Sequence, residues 1–196
     1  MEFIDLGLPS GTKWADCNLG AIKPEEYGDY FMWASAKPNT KDKCCWRNTP
    51  YHSGPIGDSG WIKYNVINSY GVVDNKDTLD EEDDAAYIAT NGKCRMPTGD
   101  ECKELLDYTT NEWVQLNGVN GRKFTSKKNG NSIFIPASGF QLDHTVCAHT
   151  FWGFIWSSTL NTKHPHLVSY LKFYSDDCCV SSTCRSAGFS IRPVLK

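Results

Sequence analysis

Two β-prone runs joined by Asn129-Gly130 constrain this chain more than any other stretch. Residues 122–128 alternate, and Ser132, Ile133, Phe134 and Ile135 resume an extended pattern after the dipeptide. Asn and Gly tolerate the positive φ that a tight turn between antiparallel strands demands, so the segment predicts a β-hairpin. Upstream, Thr98-Gly99-Asp100-Glu101 has the spacing of a capping box. The Thr98 hydroxyl accepts the amide hydrogen of Glu101, and the Glu101 carboxylate reaches back. Cys102, Leu105 and Leu106 then fall on one face of the expected helix. An earlier helix is expected over residues 79–89, where the acidic run 80–84 suits the positive end of a helix dipole.

The remaining segments read as strands and excursions. Residues 3–15 read as strand, turn, strand, and residues 30–34 as a short buried aromatic strand. Residues 37–71 are rich in Pro, Gly, Asn and Ser, which predicts a long surface excursion anchored by Trp46, Trp61 and Tyr64. Three further strands are expected at 154–156, 167–174 and 189–194. Strands, then helices, then strands imply an α+β fold with a mostly antiparallel sheet and two helices. The 196 residues fit one domain, 1–196.

Composition excludes several classes. The net charge of -3 comes with no Lys/Arg stripe, which argues against a nucleic-acid partner. No apolar run approaches a membrane span, so no membrane insertion is expected. The first residues lack the basic start and apolar stretch of a signal peptide. The acidic run 80–84 lacks the central Gly and distal Glu of an EF-hand loop. The nine cysteines are Cys17, Cys44, Cys45, Cys94, Cys102, Cys147, Cys178, Cys179 and Cys184, with no C-x-x-C pair among them. An odd count leaves at least one thiol unpaired in a monomer, and the set reads as small buried residues and exposed thiols. No nucleophile elbow, zincin motif, P-loop or dinucleotide fingerprint is present. His164-Pro165-His166 reads as an exposed loop, and Cys147 beside His149 is too local for a catalytic dyad. No catalytic residue, metal or cofactor is expected.

The start of the chain, Phe3-Ile4-Asp5-Leu6-Gly7-Leu8-Pro9-Ser10-Gly11-Thr12-Lys13-Trp14-Ala15 through Tyr27-Gly28-Asp29-Tyr30-Phe31-Met32-Trp33, closely resembles the Fibrobacter succinogenes major paralogous domain. So do Cys94-Arg95-Met96-Pro97-Thr98, Gly118-Val119-Asn120-Gly121, the run from Asn129 to Ala137, Trp156-Ser157-Ser158 and Ser190-Ile191-Arg192-Pro193-Val194. That family is widespread in gut Bacteroidetes and their phages. Arg-Met-Pro-Thr followed by Glu, and a terminal Gly-Phe-x-x-Arg, are also similar to formylglycine-generating-enzyme-like domains. The resemblance implies a C-type lectin-like fold and the company of variable proteins of diversity-generating retroelements.

In those systems adenine-directed mutagenesis diversifies the C-terminal part, chiefly at Asn codons, which here implies a variable region over 139–194. Glu, Lys, Gln, Met and Trp are out of reach of that process. Every residue of 142–151 and of 174–190 is within reach, and the last glutamate is Glu112. The ligand-binding residues implied are Leu142, Asp143, His144, Cys147, His149, Phe151, His166, Tyr170, Tyr174, Asp176, Asp177, Cys178, Cys179, Ser181 and Cys184. The four C-terminal cysteines are expected in surface loops. Trp156 and Arg192 match fixed family positions, and Leu171 and Phe173 match inward ones, so these four are scaffold. Strand alternation then leaves Tyr170 and Tyr174 on the face opposite Leu171 and Phe173.

Cys94 and Cys102 stand where relatives carry Trp, which leaves open a disulfide or two independent changes. Three functions are weighed. One is a diversified module binding a protein or glycan on a target cell, displayed on a cell surface or phage particle. Another is a fixed adhesin or carbohydrate-binding module of the same fold. The third is a formylglycine-type oxidase, which needs two cysteines holding copper, with Cys179 and Cys184 as candidates. Asp176-Asp177 alone offers too few ligands for a calcium site.

Overall fold

A computed structural model describes residues 1–39, 46–54, 57–142 and 145–195. In chain order the elements are β1 (Phe3–Asp5), β2 (Lys13–Ala15), α1 (Ala85–Ala89), β3 (Cys94–Arg95), α2 (Gly99–Tyr108), β4 (Thr109–Leu116), β5 (Val119–Ser126), β6 (Ser132–Pro136), β7 (Phe140–Leu142), β8 (Thr145–Cys147), β9 (Gly153–Leu160), β10 (Leu167–Phe173), β11 (Cys178–Cys184) and β12 (Val194–Leu195). They pair antiparallel into sheets ordered β1-β2-β12-β3, β11-β10-β9, β4-β5-β6 and β7-β8. The class is α+β, dominated by sheet, with two α-helices among the described residues.

The α2 capping box forms as the spacing predicts. Glu101 N–H donates to Thr98 Oγ1 at 3.1 Å, and Thr98 N–H donates to Glu101 Oε2 at 2.8 Å. The same carboxylate takes both amino groups of Arg95 at 2.7 Å and the Thr12 hydroxyl at 2.7 Å. One side chain thus fastens the helix start to β3 and to the turn before β2. Below it, Cys102 and Leu105 are buried, and Leu106 packs against the same cluster.

The first helix is shorter than expected. A 3-10 turn, Glu81–Asp83, precedes α1, whose true N-cap is Asp84. Asp84 Oδ1 accepts Ala86 N–H at 2.9 Å and Tyr87 N–H at 3.1 Å, so the helix begins after the acidic run. That run serves Lys63 instead, which reaches Asp80, Glu82 and Asp83 at 2.8, 2.9 and 2.6 Å.

Two Asn-Gly pairs close hairpins, and they differ. Asn117 and Gly118 both have positive φ, 50° and 83°, the geometry of a tight two-residue turn between β4 and β5. At 129–130 only Gly130 is left-handed, at 77°. There Ser126 Oγ accepts the N–H groups of Lys128 and Asn129, and Ser126 N–H donates to Asn131 O. The β5–β6 hairpin exists, but a serine-capped longer loop closes it.

Residues 30–34 are not a strand. Phe31 makes a single bridge to Phe189, and Ala34 turns the chain away at φ 63°. Phe31 and Trp33 are nonetheless buried. Of the anchors of the long excursion, Trp61 and Tyr64 are buried, while Trp46 opens a 3-10 turn.

The β9–β10 sheet is buried on both faces. One face meets Trp33, Tyr64 and Phe189. The other meets Trp14, Leu105, Phe124 and Val194. Each such side chain withdrawn from water stabilises the fold by about 1.5–3 kcal/mol.

Candidate functional site

Burial on both faces decides the fate of the side chains on β10. Leu171 and Phe173 enter the cluster with Trp14 and Phe124. Tyr170 does not face solvent. It is 8 % exposed, with its ring among Phe154, Trp156 and Phe189 at 5.8, 6.2 and 5.1 Å. Alternation turns it away from Leu171, but a second core waits on that side. The other two scaffold residues are fully buried. Trp156 donates its indole N–H to Phe31 O at 2.8 Å. Arg192 donates to Asn18 Oδ1, Ala15 O and Phe134 O at 2.9, 3.1 and 3.0 Å.

An aromatic chain leads from this core outward. Phe154 stacks on Phe189 at 4.9 Å and on Trp152 at 5.9 Å, and Trp152 meets Tyr174 at 4.8 Å. Trp152 and Tyr174 are half-buried, and the Lys172 ammonium lies 4.7 Å over the first ring and 5.6 Å over the second. This contact joins two candidate segments that are distant in sequence.

The first segment is the β7–β8 hairpin and its exit. Leu142 and Phe151 are 53 % and 69 % exposed. His149 is exposed and meets the edge of Tyr27, while Cys147 is half-buried in β8. Asp143 and His144 lie outside the described residues. The hairpin is anchored at Gly139, φ 65°, where an added Cβ would fall 2.1 Å from Cys147 O.

The second segment is a strand rather than a loop. Cys178, Cys179, Ser181 and Cys184 sit in β11, paired with β10 from Phe173↔Cys178 to Leu167↔Cys184. Nothing in Cys-Cys-Val-Ser-Ser-Thr-Cys announces a strand, because only Cys178 and Val180 pack against a core. Asp176 and Asp177 are exposed in the connecting turn. Burial pushes the thiols of Cys178, Cys179 and Cys184 up, with nearby Asp177 and Asp58 adding to it for the last two. None of these three has the lowered pKa of an activated nucleophile. Cys179 and Cys184 are five strand positions apart, about 16 Å and on opposite faces, so they do not form a joint copper site.

At the far end of β11, Cys184 and His166 line a cavity of about 140 Å³ with His52, Asp58, Trp61 and Arg185. His166 stacks on Tyr70 at 5.5 Å. Arg185 was not among the expected site residues. Its guanidinium is buried 3.9 Å over the Trp61 ring and donates to the carbonyls of Lys63, Tyr64 and Pro165. Burial lowers its pKa to about 9, with the charge of Asp74 offsetting only part of that. An arginine inside a polar run carries no sequence signal that separates a buried from an exposed side chain.

Cys94 and Cys102 are both free thiols, in different clusters. Cys94 Sγ turns to Thr90 Oγ1 at 3.2 Å, so the disulfide alternative fails. Among the described residues no helix is long and apolar enough to cross a membrane. No protein-family model, curated protein or solved structure matches the chain.

Proposed function

We propose that this chain is a ligand-binding domain of the C-type lectin-like, formylglycine-generating-enzyme-like type, related to the paralogous-domain family it resembles. Its region 139–194 presents variable side chains to a protein or glycan on a target cell, from a bacterial surface or phage particle. It does so without catalysis, cofactor or metal.

The observation that carries this reading is the Trp152–Tyr174 contact. It brings the exit of segment 142–151 against the start of segment 174–184, beside a sheet whose buried apolar side chains belong to two cores. Exposed positions such as Leu142 and Phe151 contribute little to those cores, so they are free to vary. Aromatic side chains there offer contact area at low entropic cost. Tyr170 moves from the ligand-contacting set to the scaffold.

Two measurements test the proposal. The coding DNA should be accompanied by a near-copy of codons 139–194 that differs at adenines, beside a reverse-transcriptase gene. Absence of that copy would favour the fixed adhesin. Binding to a defined glycan array and to surface-protein preparations should change on Leu142→Asn with Phe151→Asn. Binding that is indifferent to both substitutions would sink this placement of the site.

A further inference from the structure

The two edges of the β11-β10-β9 sheet are treated differently. The β9 edge is covered. Trp156 N–H donates to Ser190 O at 3.1 Å, Ser158 N–H to Pro97 O at 2.8 Å and Leu160 N–H to Asp77 O at 2.7 Å. The β11 edge carries no such cover among the described residues.

The ladder fixes which groups point outward. Tyr174 N–H donates to Asp177 O, so Lys172–Cys179, Tyr170–Ser181 and Val168–Thr183 are the hydrogen-bonded pairs. Leu167 agrees at the other end. Its N–H goes to His164 O and its C=O takes Asn161 N–H, both away from β11. Cys178, Val180, Ser182 and Cys184 therefore aim their backbone groups off the sheet. Cys184 O is met by Ala187 N–H, whereas Cys178, Val180 and Ser182 find no described backbone partner.

Exposed edges normally carry a charge, a proline or a bulge that blocks further pairing. β4 carries Glu112, and β1 ends at Asp5. β11 has no charge and no proline, and its pairing with β10 has no register shift.

We propose that β11 pairs antiparallel with β11 of a second copy of this chain, joining two three-stranded sheets across a two-fold axis. Outward groups must meet outward groups, so the register moves only in steps of two residues. Full overlap places Ser181 opposite Ser181, Val180 opposite Ser182 and Cys178 opposite Cys184. The strand fits its own image: it carries no charge to repel itself, and Ser181, Ser182 and Thr183 leave room near the axis. Backbone hydrogen bonds hold the pair, not thiols, because Cys178 is turned toward a core. The pairing uses the strand edge and does not depend on what the neighbouring face binds.

Light scattering and sedimentation over a dilution series, in reductant, should show a reversible monomer–dimer equilibrium. Ser182→Pro removes an outward N–H that the β10 ladder does not use, and should abolish the dimer. Ser181→Lys alone and Ser181→Asp alone should each be monomeric, while their equimolar mixture regains a dimer. Only the central register brings position 181 against itself, so this pair decides the matter even if Ser182→Pro fails to fold. A monomer at every concentration, a dimer that survives all three substitutions, or a mixture that stays monomeric would each overturn the proposal.

Discussion

The guanidinium of Arg185 lies 3.9 Å over the ring of Trp61 and is held there by three backbone carbonyls. A buried cation with no carboxylate bonded to it among the described residues is costly, and here carbonyl oxygens and two indole faces offset that cost. Arg185→Met deletes the donors and leaves buried carbonyls unpaired. It should lower stability by about 2–4 kcal/mol in urea unfolding. Arg185→Lys should recover little, because a compact ammonium does not reproduce a planar fork. Near-native stability in both would show that the carbonyls find water.

Tyr170 and Phe151 should separate scaffold from surface. Tyr170→Ala opens a hole between Phe154 and Phe189 and should cost about 3–5 kcal/mol. Phe151→Ser should stay within about 0.5 kcal/mol of the parent. Thermal melts of the two variants suffice, and equal losses would contradict the assignment.

Native-state alkylation read by mass spectrometry should rank the thiols by burial. Cys184 is the most exposed of the described thiols, although its sulfur is partly shielded, and should react first. Cys17, Cys94 and Cys102 are buried, and burial raises the pKa of each. They should react only after unfolding, with no Cys94–Cys102 disulfide recovered.

Stability should fall in acid in part through Glu101. Burial pushes its carboxyl up, but Arg95, Thr98 N–H and the Thr12 hydroxyl outweigh that and hold it below its ordinary value. A depressed carboxylate contributes stability above its unfolded pKa and loses it as pH falls through the folded one. Glu101→Gln should therefore be less stable at neutral pH and show a shallower loss on acidification, measured by melts across the acid range. An unchanged slope would assign the acid sensitivity to other groups.

Legibility in the sequence followed how local the controlling interaction is. The Thr98–Glu101 box depends on four consecutive residues, and both its bonds form. The Asn-Gly signal marked a hairpin at 129–130 but missed the tighter turn at 117–118, where both residues take positive φ. There β4 lacks a clean alternation because most of its residues are only half-buried or exposed. β11 was invisible for a related reason: its pairing supplies the strand, not its composition. Tyr170 lies on the expected side of β10 yet is buried, because period-two alternation reports that a residue points opposite Leu171, not what lies there. Lys63 drew the acidic run 80–83 across a gap in sequence that no local pattern spans.

β12 lies between β2 and β3, so Val194 pairs with both Trp14 and Arg95. During synthesis the centre of that sheet stays vacant until everything from 16 to 193 has left the ribosome. Any substituted version of the chain must still deliver Val194 to its slot, or β2 and β3 are never joined. The closing strand thus acts as an assembly checkpoint: a substitution that disturbs the support leaves an open, protease-sensitive chain, while one confined to the outer surface passes unnoticed.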